Sequence, residues 1–250
     1  MTSDKFSQKP LSEHRILILA GGQGSRLLSR VSNVPKALAP IKEKVFLDYL
    51  LSSLYKQGLR QIDFSLQHRA DQVINWLKES KMPADLKCRW AIEPAPMGTG
   101  GAISYCREHF KYDEDIFVCN GDTYLESGLK ELQKNNSGLN LMATSSVNDI
   151  SQYGSVEVDD KSLVTKFNEK SGAQTSGLVN AGLYLLRRNF LQTLPQGNFS
   201  LEKEIFKTLV SQNKLQSVPL NGLFIDIGTP DNYDTFISLV ETKQVSEPWI

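Results

Sequence analysis

The chain has 250 residues, enough for one large domain or two small ones with a sizeable buried core. Its 28 Lys and Arg balance its 28 Asp and Glu, so the formal net charge is zero, which argues against a nucleic-acid-binding or membrane-surface protein. No apolar run is long enough to span a bilayer, and residues 1–13 lack the apolar core of a signal peptide. We therefore expect a disordered leader over 1–13.

The cysteines and histidines are few and scattered. Three cysteines, an odd number without metal-ligand spacing, are expected to be reduced thiols of a cytoplasmic protein: Cys88, Cys106 and Cys119. The three histidines are also far apart, so a histidine-based metal site is not expected.

The first predicted element is a buried parallel strand over 16–20, which ends at the glycine-rich segment 21–26. Glycines after such a strand let the backbone approach a ligand closely, and the N–H groups of such a loop bind phosphate. The alternative is a tight strand-to-helix turn with two surface cations, Arg26 and Lys36.

Two known phosphate loops fit this segment poorly. A P-loop would need Gly-Lys-Ser/Thr, whereas Gly24 is followed by Ser25 and Arg26. A dinucleotide fingerprint would need a third small residue where Leu27 stands. Because a glycine loop has no net positive charge, a triphosphate would also need cations, which Arg26 and Lys36 would supply.

The segment 20–40 resembles the signature of the sugar-nucleotide pyrophosphorylases, the nucleotidyltransferases that join a nucleoside triphosphate to a sugar 1-phosphate. Its Ala-Gly-Gly-x-Gly-Ser-Arg-Leu is followed by Pro-Lys-x-Leu-x-Pro, although the family usually has Thr where Ser25 stands. The resemblance implies that Arg26 holds the departing pyrophosphate and that Lys36 faces the α-phosphate. It implies that these residues bind the nucleotide: Ala20, Gly21, Gly22, Gly24 and Ser25.

Helices and strands are predicted to alternate over the following segments. Helical periodicity over 45–54 ends at Gly58, and an amphipathic helix is predicted over 69–79. Strands are predicted over 62–66 and 86–92. This alternation favours βαβ units and a parallel sheet.

A second glycine-rich loop follows the strand over 86–92 and opens a helix that is predicted to end near His109. The family resemblance implies that this loop holds the nucleobase through Glu93, Gly98 and Thr99. A carboxylate can accept two adjacent donors of guanine, whereas uracil and thymine present only one donor, so Glu93 favours GTP. The alternatives for Glu93 are a solvated strand end and an acid at a helix N-terminus.

Two aspartates end apolar strands. Asp122 comes just after a predicted strand over 116–119, and Asp226 lies in the segment 223–227, before a Gly-Thr-Pro that opens a helix. The carboxyl ends of parallel strands are where open α/β sheets bind ligands. The resemblance implies that both aspartates bind Mg²⁺, a hard cation shared with phosphates. A turn or a helix cap is the alternative for Asp122.

From residue 128 the predicted strands are short and lack intervening helices: 139–143, a hairpin within 154–167, and 178–186. They suit a small β-rich lid, and a helix capped by Ser200 is predicted to run to about Val210. The resemblance implies that these residues face the sugar 1-phosphate: Tyr153, Gly154, Glu169, Lys170 and Asn180. An exposed charged strand end and a satisfied core amide are the alternatives for Glu169-Lys170 and for Asn180.

The pattern predicts an α/β fold, with a Rossmann-like, mostly parallel central sheet flanked by helices and a small β-rich lid. The family resemblance implies that the lid binds the sugar and that the fold is of the GT-A-like nucleotide-diphospho-sugar transferase type. We expect one nucleotidyltransferase domain over 14–250, with a nucleotide-binding half over 14–127 and a sugar-binding half over 128–250. Because the chain stops soon after Asp226, the C-terminal β-helix of many relatives is not expected.

The chain resembles most the bacterial D-glycero-α-D-manno-heptose 1-phosphate guanylyltransferases, followed by the mannose 1-phosphate enzymes. The resemblance implies Mg²⁺ as cofactor, GTP and a sugar 1-phosphate as partners, and a step toward capsule or lipopolysaccharide; a homodimer is also considered. Two alternatives are a non-catalytic sugar-nucleotide sensor and a dehydrogenase built on the loop of Gly22 and Gly24.

Overall fold

The computed structural model describes residues 3–22, 24–27, 29–31, 33–135, 137–168 and 174–249. The α-helices found there are α1 (Ser3–Gln8), α2 (Phe46–Lys56), α3 (Ala70–Glu79), α4 (Gly98–Phe110), α5 (Leu129–Lys134), α6 (Arg188–Leu191), α7 (Phe206–Ser211) and α8 (Pro230–Glu241). The strands are β1 (Arg15–Leu19), β2 (Pro40–Ile41), β3 (Lys44–Val45), β4 (Gln61–Leu66), β5 (Lys87–Ile92), β6 (Ile116–Asn120), β7 (Thr123–Leu125), β8 (Asn140–Val147), β9 (Ser155–Val158), β10 (Val164–Asn168), β11 (Gly177–Leu186), β12 (Leu215–Pro219) and β13 (Phe224–Asp226). None of the described helices has the length and apolar character needed to cross a membrane.

The chain forms two compact units, each assembled from separate stretches of sequence. The loop unit comprises Pro10–Pro96, Cys119–Glu126 and Leu223–Ile250. The strand-rich unit comprises Met1–Lys9, Met97–Val118 and Ser127–Gly222. The predicted division into contiguous halves, 14–127 and 128–250, is therefore wrong. The C-terminal stretch belongs to the loop unit because β13 pairs antiparallel with β7.

Parallel strands make up the sheet within the loop unit. Ile18 of β1 pairs with Phe64 of β4, which pairs in turn with Trp90 of β5. Helix α2 lies between β1 and β4 in the chain, and α3 lies between β4 and β5, which confirms the predicted alternation. Helix α2 is followed by Gly58, whose φ of 112° lies in the region that only glycine adopts easily.

An aromatic cluster holds the C-terminal stretch inside the loop unit. Phe236 of α8 lies 5.3 Å from Phe46, 5.6 Å from Tyr49 and 5.3 Å from Tyr124, measured between ring centroids. Helix α8 starts as predicted, with the Thr229 hydroxyl accepting a hydrogen bond from the backbone of the first turn. These contacts fix the segment that carries Asp226.

The strand-rich unit is organised around β8. This strand pairs antiparallel with β11 and parallel with β12, and β9 pairs with β10 as the predicted hairpin. Phe206 packs against Phe167 and Tyr184 with centroid distances of 5.5 and 5.3 Å. The helix predicted from Ser200 begins with a π-helical turn, Leu201–Ile205, before it continues as α7. Ser200 caps it as expected, since its hydroxyl accepts from the Lys203 N–H.

The predicted disordered leader is wrong for the part of 1–13 that the structure describes. Residues Ser3–Gln8 form α1, and the Phe6 side chain is buried with its ring centroid 5.5 Å from that of Phe117. Leu11 is buried too, within the loop unit. Burial of these two apolar side chains favours the ordered form of this short segment.

Candidate active site

The glycine-rich segment follows β1 directly, as predicted. The Ala20 N–H donates to the Ser65 carbonyl at 2.9 Å, so strand-like pairing continues up to the first glycine. Gly24 has a φ of 63°, and a short 3-10 turn, Ser25–Leu27, begins after it. The Arg26 side chain is exposed, while the side chain of Ser25 lies outside the described part of the structure.

Lys36 runs alongside Gly24. A Cβ added to Gly24 would lie 3.3 Å from Lys36 Cβ and 3.6 Å from Lys36 Cε. The 3-10 turn Lys36–Leu38 follows Pro35, whose extended backbone sets its start. The Lys36 ammonium donates to Asp122 Oδ2 at 2.5 Å, and the two side chains are 13% and 25% exposed. Both residues are predicted site residues, but their contact with each other was not predicted from the sequence.

The two aspartates lie on neighbouring backbone. Asp226 pairs with Thr123, the residue after Asp122, and the Ile227 N–H donates to the Asp122 carbonyl at 2.9 Å. A Cβ on Gly228 would lie 2.6 Å from Asp226 Oδ1 and 3.1 Å from Lys36 Nζ. Gly228 therefore leaves the space in which the aspartates and the lysine converge.

The charge state of Asp122 follows from its surroundings. Burial raises the pKa of this carboxyl, but the positive charges of Lys36 and then Arg26 outweigh burial, so the net pKa lies below its ordinary value. Asp122 is therefore an ionised carboxylate at neutral pH. Burial raises the pKa of the neighbouring Cys119 thiol, so this cysteine is no nucleophile.

Glu93 lies beside the glycine loop and is buried, so the solvated strand end considered above is wrong. Its Oε1 accepts a hydrogen bond from the Ser65 hydroxyl at 2.8 Å. A Cβ on Gly21 would lie 2.7 Å from the same oxygen, so any residue other than glycine at this position would clash with the Glu93 carboxylate. Sequence reasoning missed Ser65, because nothing in the pattern of β4 distinguishes a hydroxyl that orients a carboxylate on the neighbouring strand.

The glycines of the second loop lie close to another segment of the chain. A Cβ would lie 2.5 Å from the Phe199 carbonyl at Gly98 and 2.1 Å from the Gly197 carbonyl at Gly101, so the close approach is to the chain itself. The Thr99 hydroxyl donates to Glu202 and accepts from the Leu201 N–H. Nucleotide binding by Gly98 and Thr99 stays a prediction, and Glu202 is a neighbour that sequence reasoning gave no role.

The predicted sugar residues are partly brought together within the strand-rich unit. The Asn180 N–H donates to the Gly154 carbonyl at 2.9 Å, and Tyr153 beside it is half-buried. The Asn180 side chain donates to the Tyr184 hydroxyl at 2.7 Å and accepts from the Gly182 N–H at 2.9 Å, as a satisfied core amide would. Glu169 and Lys170 lie outside the described residues.

Substitution of the first two loop glycines should have unequal effects on stability. Gly21→Ala forces Cβ to within 2.7 Å of Glu93 Oε1 and 3.1 Å of Gln67 Cβ, and Ser65 restrains the carboxylate. We expect a loss of about 1–3 kcal/mol in the free energy of unfolding, measured in urea without ligand. Gly22→Ala is the matched control, since nothing lies within 4 Å of its Cβ. Equal stability of the two variants would contradict this packing.

The chain was compared with protein families and curated proteins. A family model described as nucleotidyl transferase matches residues 15–243. The chain is 34% identical over 222 residues to D-glycero-alpha-D-manno-heptose 1-phosphate guanylyltransferase of Campylobacter jejuni, which covers 88% of this chain and 97% of that protein. It is 29% identical over 238 residues to the mannose-1-phosphate guanylyltransferase catalytic subunit beta of Drosophila melanogaster, covering 92% of this chain and 64% of that subunit.

Solved structures agree with these matches. HddC from Yersinia pseudotuberculosis has a TM-score of 0.81 and 31% identity, over 91% of this chain and 99% of that one. The structure of that protein complexed with GMP-PN has a TM-score of 0.79. A putative glucose-1-phosphate thymidylyltransferase from Bacillus anthracis shares the fold, with a TM-score of 0.77 and 19% identity. The predicted mixed α/β fold of the GT-A-like type is thereby confirmed, and the chain belongs to the nucleotidyl transferase family.

Proposed function

We propose that this protein is a guanylyltransferase that joins GTP to a sugar 1-phosphate and releases pyrophosphate. The observation that carries the proposal is the convergence of Lys36, Asp122 and Asp226 around Gly228 in the unit that holds the glycine loop. A relative named as a heptose 1-phosphate guanylyltransferase, and a similar protein complexed with GMP-PN, support the reaction class and the base.

The preferred sugar is D-glycero-α-D-manno-heptose 1-phosphate. The relative with 34% identity that bears this name is matched over 97% of its length. Mannose 1-phosphate is the second candidate, because the mannose-1-phosphate guanylyltransferases are related at 29% identity. In either case Tyr153, Gly154 and Asn180 are proposed to face the sugar, and a role for Glu169 and Lys170 stays a prediction.

The reaction needs positioning and charge neutralisation more than a general base, since a phosphate oxygen of the sugar 1-phosphate is already ionised at neutral pH. The glycine-loop backbone would bind the triphosphate. The exposed Arg26 would hold the departing pyrophosphate, and Lys36 would face the α-phosphate as charge develops. Alignment of two bound reactants supplies about 7–11 kcal/mol of the barrier.

The chemistry of Asp122 and Asp226 fits Mg²⁺. The described residues offer a pair of carboxylates here and no cluster of three or more metal-binding side chains. Mg²⁺ is commonly held by one or two carboxylates together with substrate phosphates. Asp122 is ionised at neutral pH, which is the form that binds a metal ion, and its Oδ2 accepts from the Lys36 ammonium. When bound, the ion would neutralise phosphate charge and hold the two substrates' phosphates together.

The test is pyrophosphate release with Mg²⁺, crossing GTP, CTP, UTP, dTTP and ATP with the 1-phosphates of heptose, mannose and glucose. We expect release with GTP and heptose 1-phosphate. Release with another sugar or base would keep the reaction class and change the substrate. No release in any pairing, from folded protein that binds nucleotide, would favour a sugar-nucleotide sensor.

Base selection should depend on Glu93. Glu93→Gln keeps the size of the side chain but loses the charge and one acceptor, so kcat/KM for GTP should fall by about 10-fold or more, since hydrogen bonds to charged groups contribute about 1.5–3 kcal/mol. The matched control is Glu43→Gln, at an exposed position of the same unit. An unchanged ratio of GTP to UTP turnover would remove Glu93 from base recognition.

We infer that the protein works in the cytoplasm, where the thiols of Cys88, Cys106 and Cys119 would stay reduced. We also propose that the protein forms a homodimer, which light scattering of the purified chain would test.

A further inference from the structure

Lys36 is held tightly where a metal ion is proposed to bind. Its ammonium lies 2.5 Å from Asp122 Oδ2, and only 13% of the side chain is exposed. Its stem is guided by Gly24, whose added Cβ would come within 3.3 Å of it. On the other side, an added Cβ at Gly228 would lie 3.1 Å from Nζ and 2.6 Å from Asp226 Oδ1. The ammonium therefore lies between the glycine loop and the segment that follows Asp226.

An ammonium and a divalent cation compete for such a place. Both are attracted by the same carboxylate oxygens, and at short range in a partly buried site they repel one another strongly. A bare ion would have to displace the Lys36 ammonium from Asp122, and it would compete with the ammonium for Asp226, the other carboxylate beside it. A nucleotide changes this balance, because its phosphates are a new anionic partner for the displaced ammonium.

We propose that Lys36 is an internal counter-ion that takes the metal's place on Asp122 until nucleotide is bound, so that the ion enters with the phosphates and not before them. This inference rests on the proposed function, since the metal site is its premise. Lys36 thus has two positions: on Asp122 in the empty protein, and on the α-phosphate in the complex. Because Gly228 has no side chain, no Cβ intrudes between Asp226 Oδ1 and the Lys36 ammonium.

The experiment measures Mn²⁺ binding to the full chain without nucleotide, from the electron paramagnetic resonance signal of free Mn²⁺. Lys36→Met keeps an unbranched stem and removes the charge, and we expect Mn²⁺ to bind about tenfold more tightly or better. Lys36→Arg keeps the charge and should bind as weakly as the unsubstituted protein. Lys44→Met, which removes an exposed lysine of β3 in the same unit, is the control for total charge.

Several outcomes would overturn the inference. If Lys36→Met binds Mn²⁺ no more tightly than the unsubstituted protein does, the lysine does not prevent the metal ion from binding. If Lys36→Arg or Lys44→Met binds Mn²⁺ more tightly to the same extent, loss of the positive charge of Lys36 beside Asp122 is not the cause. If Lys36→Met is unfolded by circular dichroism, Lys36→Gln replaces it with the same expectations.

A second arm separates this inference from the proposed function. Mn²⁺ binding is measured with a non-hydrolysable GTP analogue, after subtraction of the Mn²⁺ that the analogue binds alone, for the unsubstituted protein and for Asp226→Asn. Equal binding by both proteins removes the metal assignment, and with it the premise. Weaker binding by Asp226→Asn, together with no gain for Lys36→Met in the first arm, keeps the metal site and overturns the counter-ion alone.

Discussion

Asp122→Asn and Asp226→Asn should each lower kcat by roughly 10²-fold or more, because each removes negative charge from the proposed metal site, beside the transferred phosphate. An amide keeps the size of the side chain but is a much weaker ligand for a hard cation. In Asp122→Asn the variant also loses the charge that faces Lys36. Steady-state turnover at saturating GTP and sugar 1-phosphate measures the effect, and a titration with Mg²⁺ should show a raised requirement for the ion.

Asp234→Asn is the matched control for these variants. Asp234 lies on α8 of the same unit and pairs with Arg30 at 2.8 Å, but both side chains are about half exposed. Its substitution should leave turnover close to that of the unsubstituted protein. Near-normal turnover of both Asp122→Asn and Asp226→Asn, with folded protein, would refute the metal assignment. A fall in only one of them would limit the role to that carboxylate.

Asp63→Asn should lower the free energy of unfolding by about 3 kcal/mol, since removal of one partner from a buried ion pair typically costs about 3–5 kcal/mol. Asp63 is fully buried on β4. Its carboxylate accepts hydrogen bonds from Nε and Nη2 of Arg89, both at 2.7 Å, and from Nη1 of Arg15 at 3.5 Å. We take the lower end of the range because the Arg89 side chain is 41% exposed and water can solvate it.

Urea unfolding measures the loss, and Asp85→Asn is its control. Asp85 pairs with Arg60 at 2.8 Å in the same unit, but its side chain is 59% exposed, so we expect little change in the urea midpoint. Equal midpoints for the two variants would show that burial adds nothing to the Asp63 network. Since Asp63 lies away from the strand ends that carry the site, turnover at low temperature should be retained by the folded fraction.

Local signals predicted much of the fold. The apolar run before the glycines became β1, the helix after Val45 ended where Gly58 allows a positive φ, and Thr229 with Pro230 opened α8. Each of these depends on backbone preferences or on caps that act within a few residues. The strands β2, β3 and β7, of two or three residues each, and the five-residue β12 were missed because their pairing partners, not their composition, define them.

The site residues that could be predicted are those that lie in the sequence motifs of the family. The resemblance placed Lys36, Asp122 and Asp226, and the structure brings them together around Gly228. The contact between Ser65 and Glu93 is tertiary and leaves no trace in the sequence. The glycines from 98 to 101 were expected to admit a ligand, but a sequence cannot distinguish close approach to a ligand from close approach to another segment of the chain.

The pairing of β7 with β13 has a consequence for synthesis on the ribosome. Its two strands are far apart in sequence, and the whole strand-rich stretch Ser127–Gly222 is translated between them. The emerging chain therefore carries Asp122 long before Asp226, and the loop unit stays incomplete while the other unit can already fold. A nascent chain halted ahead of β13 should have no two-carboxylate site, so premature termination would leave a protein without this chemistry, not one with a weaker form of it.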